Sequence, residues 1–171
     1  MRREWRRARR DHTPIALLMI DADEFKTYND SHGHQAGDRL LRTIGESITG
    51  TIQRGADLGA RYGGDEFAVL LPGTTLEGAA QVADQIRQRF NTNCLEQGTT
   101  DGAKISIGAA CLIPERAASH TTLLTAADAA LYRAKDAGRN RTELAEAAFL
   151  ASLQPSLAQP DEPSPALTKA A

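Results

Sequence analysis

Residues 57–71 read Asp-Leu-Gly-Ala-Arg-Tyr-Gly-Gly-Asp-Glu-Phe-Ala-Val-Leu-Leu, two short strand-like runs, 57–62 and 65–71, with Gly63-Gly64 between them. A Gly-Gly dipeptide in that position predicts a tight β-hairpin, because both residues can adopt positive φ. Pro72-Gly73 closes the second run, and the tip carries two adjacent acids, Asp65 and Glu66. Upstream, the uninterrupted apolar run Ile15-Ala16-Leu17-Leu18-Met19-Ile20 lies between Pro14 and Asp21. Such a run fits a strand covered on both faces, so it is the expected central strand.

Working outward, residues 2–12 read as the end of a helix closed by Pro14. Asp23 is positioned to cap a short helix through Asn29, and Ser31-His32-Gly33-His34 reads as a polar loop. Leu40, Leu41, Ile44, Ile48 and Ile52 recur at helical spacing, which predicts an amphipathic helix from Gly37 to Ile52. Thr75 starts another helix to about Phe90, Lys104–Leu112 is a second apolar strand, and Thr121–Ala137 is a last helix stopped by Gly138. This alternation predicts an α/β fold whose sheet is partly antiparallel. Residues 1–148 are the expected domain. Four of the seven prolines fall within 155–165, so residues 149–171 are expected to form a disordered Pro/Ala/Ser-rich tail.

With 171 residues, 41% hydrophobic and 25% charged, the chain has room for one globular core. No apolar run approaches the roughly eighteen residues of a membrane span, and the N-terminus lacks an apolar signal region, so a cytoplasmic protein without a membrane segment is expected. Cys94 and Cys111 form no C-x-x-C pair and read as thiols, not as a zinc site. Residues 1–10 hold six arginines, whereas 11–66 hold ten acids against five bases. Confinement of the basic charge to one short helix argues against nucleic-acid binding.

Asp21 at the end of a buried strand and Asp65-Glu66 on a hairpin put carboxylates where α/β sheets bind ligands. Converging acids repel unless a cation joins them, and oxygen ligands alone favour a hard ion such as Mg²⁺. On spacing alone, turn and solvent-edge acids remain the simpler account. Side chains alternate along a strand, so Asp65 and Glu66 are not expected to share one role. Neither a P-loop nor a G-x-G-x-x-G is present, which leaves Lys26, Lys135 and Arg139 as candidate phosphate anchors, with helix-dipole complementation as the alternative for the last two. His32 and His34 lack a third ligand and read as turn residues.

Arg61-Tyr62-Gly63-Gly64-Asp65-Glu66-Phe67 resembles the signature of the GGDEF family, the bacterial diguanylate cyclases. Asp21–Asp30, Gly33–Asp38, Ile105-Ser106-Ile107-Gly108 and Ala127–Asn140 resemble that family in the same order, so the likeness spans residues 3–142 and displaces the simpler account of the acids. It implies a central mixed sheet flanked by helices, with the hairpin carrying the signature, similar to nucleotide cyclase and polymerase palm folds.

The resemblance further implies condensation of two GTP into cyclic di-GMP with release of two pyrophosphates, across a transient homodimer. Asp21, the carbonyl of Ala22, Asp65 and Glu66 would hold two Mg²⁺ per active site, with Mn²⁺ as an alternative. Asp65, Glu66 and Lys26 would be catalytic, the division of work between the two acids staying open. Gly63 and Gly64 would let the backbone approach the phosphates, where any Cβ would collide. Lys26, Lys135 and Arg139 would neutralise phosphates, Asn29 and Asp38 would read guanine, and Phe25 would wall the base. Arg54-Gly55-Ala56-Asp57 matches the family's product-inhibition site, and Arg87 is a candidate second arginine there.

Two departures accompany the likeness. The family's opening D-x-L-T-x-L-x-N-R segment, and the upstream sensory domain it joins, are not part of residues 1–171. Residues 142–148, Thr-Glu-Leu-Ala-Glu-Ala-Ala, read as helical where the family has an apolar strand. A catalytically weak or inactive module that binds GTP or cyclic di-GMP is therefore the competing function.

Overall fold

The chain forms, in order, α1 (Arg2–Asp11), β1 (Ile15–Ala22), α2 (Phe25–His32), α3 (His34–Thr51), β2 (Leu58–Arg61), β3 (Glu66–Pro72), α4 (Leu76–Glu96), β4 (Ile105–Leu112), α5 (His120–Asp136), β5 (Thr142–Leu144) and α6 (Ala147–Leu153) in the computed structural model. The described residues are 1–96, 98, 102–115 and 118–153. One mixed sheet runs β2-β3-β1-β4-β5, with β1 antiparallel to both neighbours and β5 parallel to β4.

β1 is central because it is apolar on both faces, and every one of its residues is buried. The pleat sends Ala16, Leu18, Ile20 and Ala22 into one core with Leu40, Ile44, Ile86 and Phe90 of α3 and α4. Ile15, Leu17 and Met19 point the other way, against Trp5, Ala8, Leu123 and Ala127 of α1 and α5. Each fully buried side chain of this size contributes about 1.5–3 kcal/mol. Truncating Leu18 to alanine would therefore cost about 2–5 kcal/mol once the cavity is included.

Gly108 sets the seat of α5. A Cβ there would run into the backbone nitrogen of Leu131 and the carbonyl oxygen of Ala127, so helix and strand touch main chain to main chain. The alanines at 126, 127, 130 and 134, all buried, complete that close face.

Several local expectations are corrected. The hairpin is not a two-residue turn: four residues, 62–65, link β2 to β3, and neither Gly63 nor Gly64 has positive φ. Tyr62 and Gly63 N–H both donate to the Glu66 carbonyl at 2.8 and 3.2 Å, while Arg61 Nε donates to the Gly63 and Gly64 carbonyls at 3.2 and 3.0 Å. Arg61 thus satisfies the turn from outside, and left-handed glycines are not needed. The loop over 31–34 shrinks to Gly33, at φ 82°, between α2 and α3.

Residues 142–148 are not one helix. Thr142–Leu144 pair with β4, and Ile107 N–H to the Arg141 carbonyl (2.9 Å) and Ala145 N–H to the Ala109 carbonyl (2.7 Å) extend the ladder. The free edge of β4 supplies bonds that local helix propensity does not outweigh. α6 reaches Leu153, within the stretch expected as a tail, and residues 154–171 lie outside the described residues. Among the described residues no helix is long and apolar enough to cross a membrane.

Candidate active site

Glu66 of β3, Asp21 of β1 and Ser106 of β4 stand in one row across three strands. Cross-strand partners share a face, and for Asp21 that is the face of Leu17 and Met19, toward α5. The register therefore sets Glu66 beside Asp21. Asp65 lies in the turn, half-buried, where its carbonyl accepts the Ala22 N–H at 3.3 Å.

Asp21 is 6% exposed. Burial pushes its pKa up, Lys135 pulls it back with Nζ 2.9 Å from Oδ2, and the charges of Asp65 and Glu66 add to the upward push. A carboxylate so placed gains from any added cation. The donor set is all oxygen, and among the described residues no three acids, histidines or cysteines form a complete cage. Oxygen ligands suit Mg²⁺, which takes one or two carboxylates and completes its shell with water and substrate phosphate.

Lys26 on the first turn of α2 and Arg139 after α5 are exposed and in no ion pair among the described residues. Phe25 is half-buried against the core shared by α3 and α4. Asn29 is also half-buried, and its Oδ1 is enclosed without a hydrogen-bond partner. It fits only because residue 37 is glycine, since a Cβ at Gly37 would collide with that same oxygen. Asp38, next in α3, lines a cavity of about 310 Å³ with Leu41, Arg42, Arg61 and Phe67. A wider polar groove of about 700 Å³ between α3 and α4, lined by Gln85, Arg89 and Asn93, contains none of these residues.

Around the hairpin, a Cβ on Gly63 would come 2.7 Å from Glu66 Oε2, whereas one on Gly64 would meet nothing within 4 Å. Gly63 thus makes room for the Glu66 carboxylate. Gly64 faces open space, and the protein itself presents no collision there.

Asp23 does not cap α2. Glu24, at φ 54°, holds the N-cap position without a side-chain bond. Asp23 is buried, its Oδ1 accepting from Ser106 Oγ at 2.7 Å and its Oδ2 from the Asn140 N–H at 3.0 Å. Sequence reasoning missed this role. The available signal was its i+2 spacing from Asp21, which puts both carboxylates on one face of an extended strand end.

Arg54 Nη1 donates to Thr74 Oγ1 at 3.2 Å, and the Asp57 N–H donates to the Arg54 carbonyl at 3.0 Å, forming a turn before β2. Asp57 Oδ1 is buried and unpartnered. Burial raises the Asp57 pKa against the opposing charge of Arg54. Arg87, on α4, donates to the Asn140 carbonyl at 2.8 Å. His32 and His34 are not turn residues: His32 ends α2, with Nδ1 3.1 Å from the Tyr28 carbonyl and its ring stacked on Tyr28, and His34 begins α3.

Residues 1–141 match the family described as "Diguanylate cyclase, GGDEF domain". The probable diguanylate cyclase DgcC of Escherichia coli K12 is 40% identical over 145 residues, 85% of this chain and 38% of that protein. Diguanylate cyclase DosC of the same organism is 35% identical over 148 residues, 86% of this chain and 32% of that protein. This chain therefore spans about a third of the length of such relatives. Among solved structures, the active GGEEF domain of a diguanylate cyclase from Vibrio cholerae superposes with a TM-score of 0.76 at 32% identity, covering 84% of this chain and 90% of that one. The GGDEF domain of DgcB from Caulobacter crescentus, solved in complex with c-di-GMP, gives 0.75 at 34% identity, covering 85% of each chain. With the signature on the β2–β3 hairpin, beside the strand-end acid that the same sheet presents, the chain belongs to the GGDEF domain family of diguanylate cyclases.

Proposed function

We propose that this domain condenses two GTP into cyclic di-GMP, each 3′-hydroxyl attacking the α-phosphate of the other nucleotide and expelling pyrophosphate, in a homodimer that brings two loaded sites face to face. The observation that carries this reading is the Asp21–Glu66 pair at the strand end with Lys135 on Asp21. Asp21, Glu66, Asp65 and the Ala22 carbonyl are the groups that would hold Mg²⁺ or Mn²⁺. When bound, the ion neutralises charge on the reacting phosphate.

Phosphoryl-group transfer rests on positioning and charge neutralisation, and the remaining residues supply both. Lys135 can exchange Asp21 for a phosphate oxygen, and Lys26 and Arg139 present free cationic heads to the β- and γ-phosphates. The enclosed Asn29 Oδ1 accepts a base N–H, and Asp38 accepts from N1–H and the 2-amino group of guanine, with Phe25 beside the base. Adenine offers no such donors. Glu66 and Asp65 are the bases within reach of the hairpin for the 3′-hydroxyl proton. We assign cyclic di-GMP feedback to Arg54 and Asp57, where the unpartnered Asp57 oxygen and the guanidinium offer an acceptor and a fork of donors.

Incubation with GTP and Mg²⁺, followed by measurement of pyrophosphate and cyclic di-GMP, tests the reading. Both products in a 2:1 ratio support it. GTP binding without pyrophosphate release would leave a nucleotide-binding module.

A further inference from the structure

Two carboxylates at the end of β1 grip the C-terminal end of α5. Asp21 takes the Lys135 ammonium at 2.9 Å, and Asp23, two residues on, takes the Asn140 backbone N–H at 3.0 Å. Between these points the chain makes an unusual turn: Gly138, Arg139 and Asn140 all have positive φ, 107°, 62° and 48°. Left-handed conformation is disfavoured wherever a Cβ is present, so Arg139 and Asn140 stay there only if other groups hold them.

The structure shows what holds them. Arg87 of α4 donates to the Asn140 carbonyl at 2.8 Å, and its Nη1 lies 3.4 Å from Asn140 Oδ1. The Arg141 carbonyl accepts from Ile107 of β4 at 2.9 Å. On the far side Asp23 is itself fixed, since Ser106 Oγ donates to its other oxygen at 2.7 Å and its N–H donates to the Lys104 carbonyl at 2.9 Å. Both Asp23 oxygens are therefore occupied by donors that belong to other elements.

We infer that Asp23 is a positioning residue for the polyphosphate end of the nucleotide site, holding the turn that carries Arg139, and the last turn of α5 that carries Lys135, at a fixed place relative to Asp21. This rests on the GTP reading and deepens it. With both oxygens taken, Asp23 works through the Asn140 backbone, with Arg87 as the opposing jaw of the same clamp. The guanine end, built from Asn29 and Asp38 on α2 and α3, does not depend on it. Loss of the clamp should thus be felt by a triphosphate and not by a nucleotide without one.

The test is calorimetric binding of 3′-deoxy-GTP, which lacks the nucleophile, and of GMP, in Mg²⁺ buffer, to wild type and the variants Asp23→Ala, Asp23→Asn and Arg87→Ala. Asp23→Ala should weaken 3′-deoxy-GTP at least tenfold and GMP less than twofold. Arg87→Ala should show the same triphosphate-selective loss, and it carries the comparison if Asp23→Ala does not fold. Asp23→Asn keeps an acceptor for the Asn140 N–H and can place its amide on Ser106 Oγ, so it should recover to within threefold of wild type. Equal losses for the two ligands, or no loss for either, would overturn the positioning role while leaving the GTP reading intact. A wild-type protein that binds GMP and 3′-deoxy-GTP equally weakly would remove the GTP reading, and this inference with it.

Discussion

Lys135 holds its ammonium 2.9 Å from Asp21 Oδ2, so the cation nearest the buried acid is one the protein carries itself. Even so, burial outweighs it, and the Asp21 pKa lies above the ordinary 3.8. The folded chain therefore binds more protons at this group than the unfolded one, and its stability declines as pH rises above the ordinary aspartate value through the raised one. Asp21→Asn removes that decline. Its melting temperature near neutral pH without metal should equal or exceed that of wild type, while pyrophosphate release from GTP should be lost. Calorimetry across about pH 4 to 7, paired with a pyrophosphate assay, checks both. A melting temperature several degrees below wild type would show that the Lys135 pair outweighs burial.

Asn29 depends on Gly37 for its space. Gly37→Ala should turn Asn29 out of place and weaken GTP about tenfold, with little change in helix stability, because alanine favours α3. Asp38→Ala should weaken GTP by a similar factor, and ATP should not compete with GTP in wild type. Competition calorimetry decides, and ATP binding as tightly as GTP would remove the guanine assignment.

Arg54→Ala should move inhibition by added cyclic di-GMP to at least tenfold higher concentration, since it removes the donor fork beside the buried Asp57 oxygen. An unchanged inhibition curve would return Arg54 and Asp57 to a structural turn.

Because each site would hold one GTP, turnover requires two loaded domains to meet. Specific activity should therefore rise with protein concentration. Measurement over a wide dilution series alongside analytical ultracentrifugation tests this, and constant specific activity in a monomer would contradict it.

Cys111 is half-buried with Sγ 3.3 Å from the Thr74 carbonyl, and burial, reinforced by Glu77, pushes its pKa up to about 11. Alkylation by iodoacetamide near pH 8 should be about a hundredfold slower than for a free cysteine, and mass spectrometry of the native protein provides the rate. Rapid labelling would show that this part of the sheet edge opens readily.

Features set by local pattern were legible in the sequence. The apolar run before Asp21, the helical spacing from Leu40 to Ile48 and the signature hairpin located β1, α3 and the acids, because burial pattern and turn composition are properties of neighbouring residues. What was not legible depends on distant partners. Asp23 reads as a helix cap until Ser106 and Asn140, 83 and 117 residues away, take its oxygens. Thr142–Leu144 reads as helix until the edge of β4 offers a ladder. The Gly63-Gly64 turn is the local exception: Arg61, two and three residues away, folds back on its carbonyls, which turn composition alone does not show. Of the site, the residue types were readable. The pairing of Glu66 with Asp21 was not, since register is fixed by the whole sheet.

At Gly108 no side chain lies between α5 and β4, so the helix cannot move closer to the strand there. That contact sets the gap between the strand that ends in Asp21 and the helix that ends near Lys135, as a gauge block would. A methyl group added at position 108 would widen that gap and misplace Lys135, one helical turn beyond the contact at Leu131.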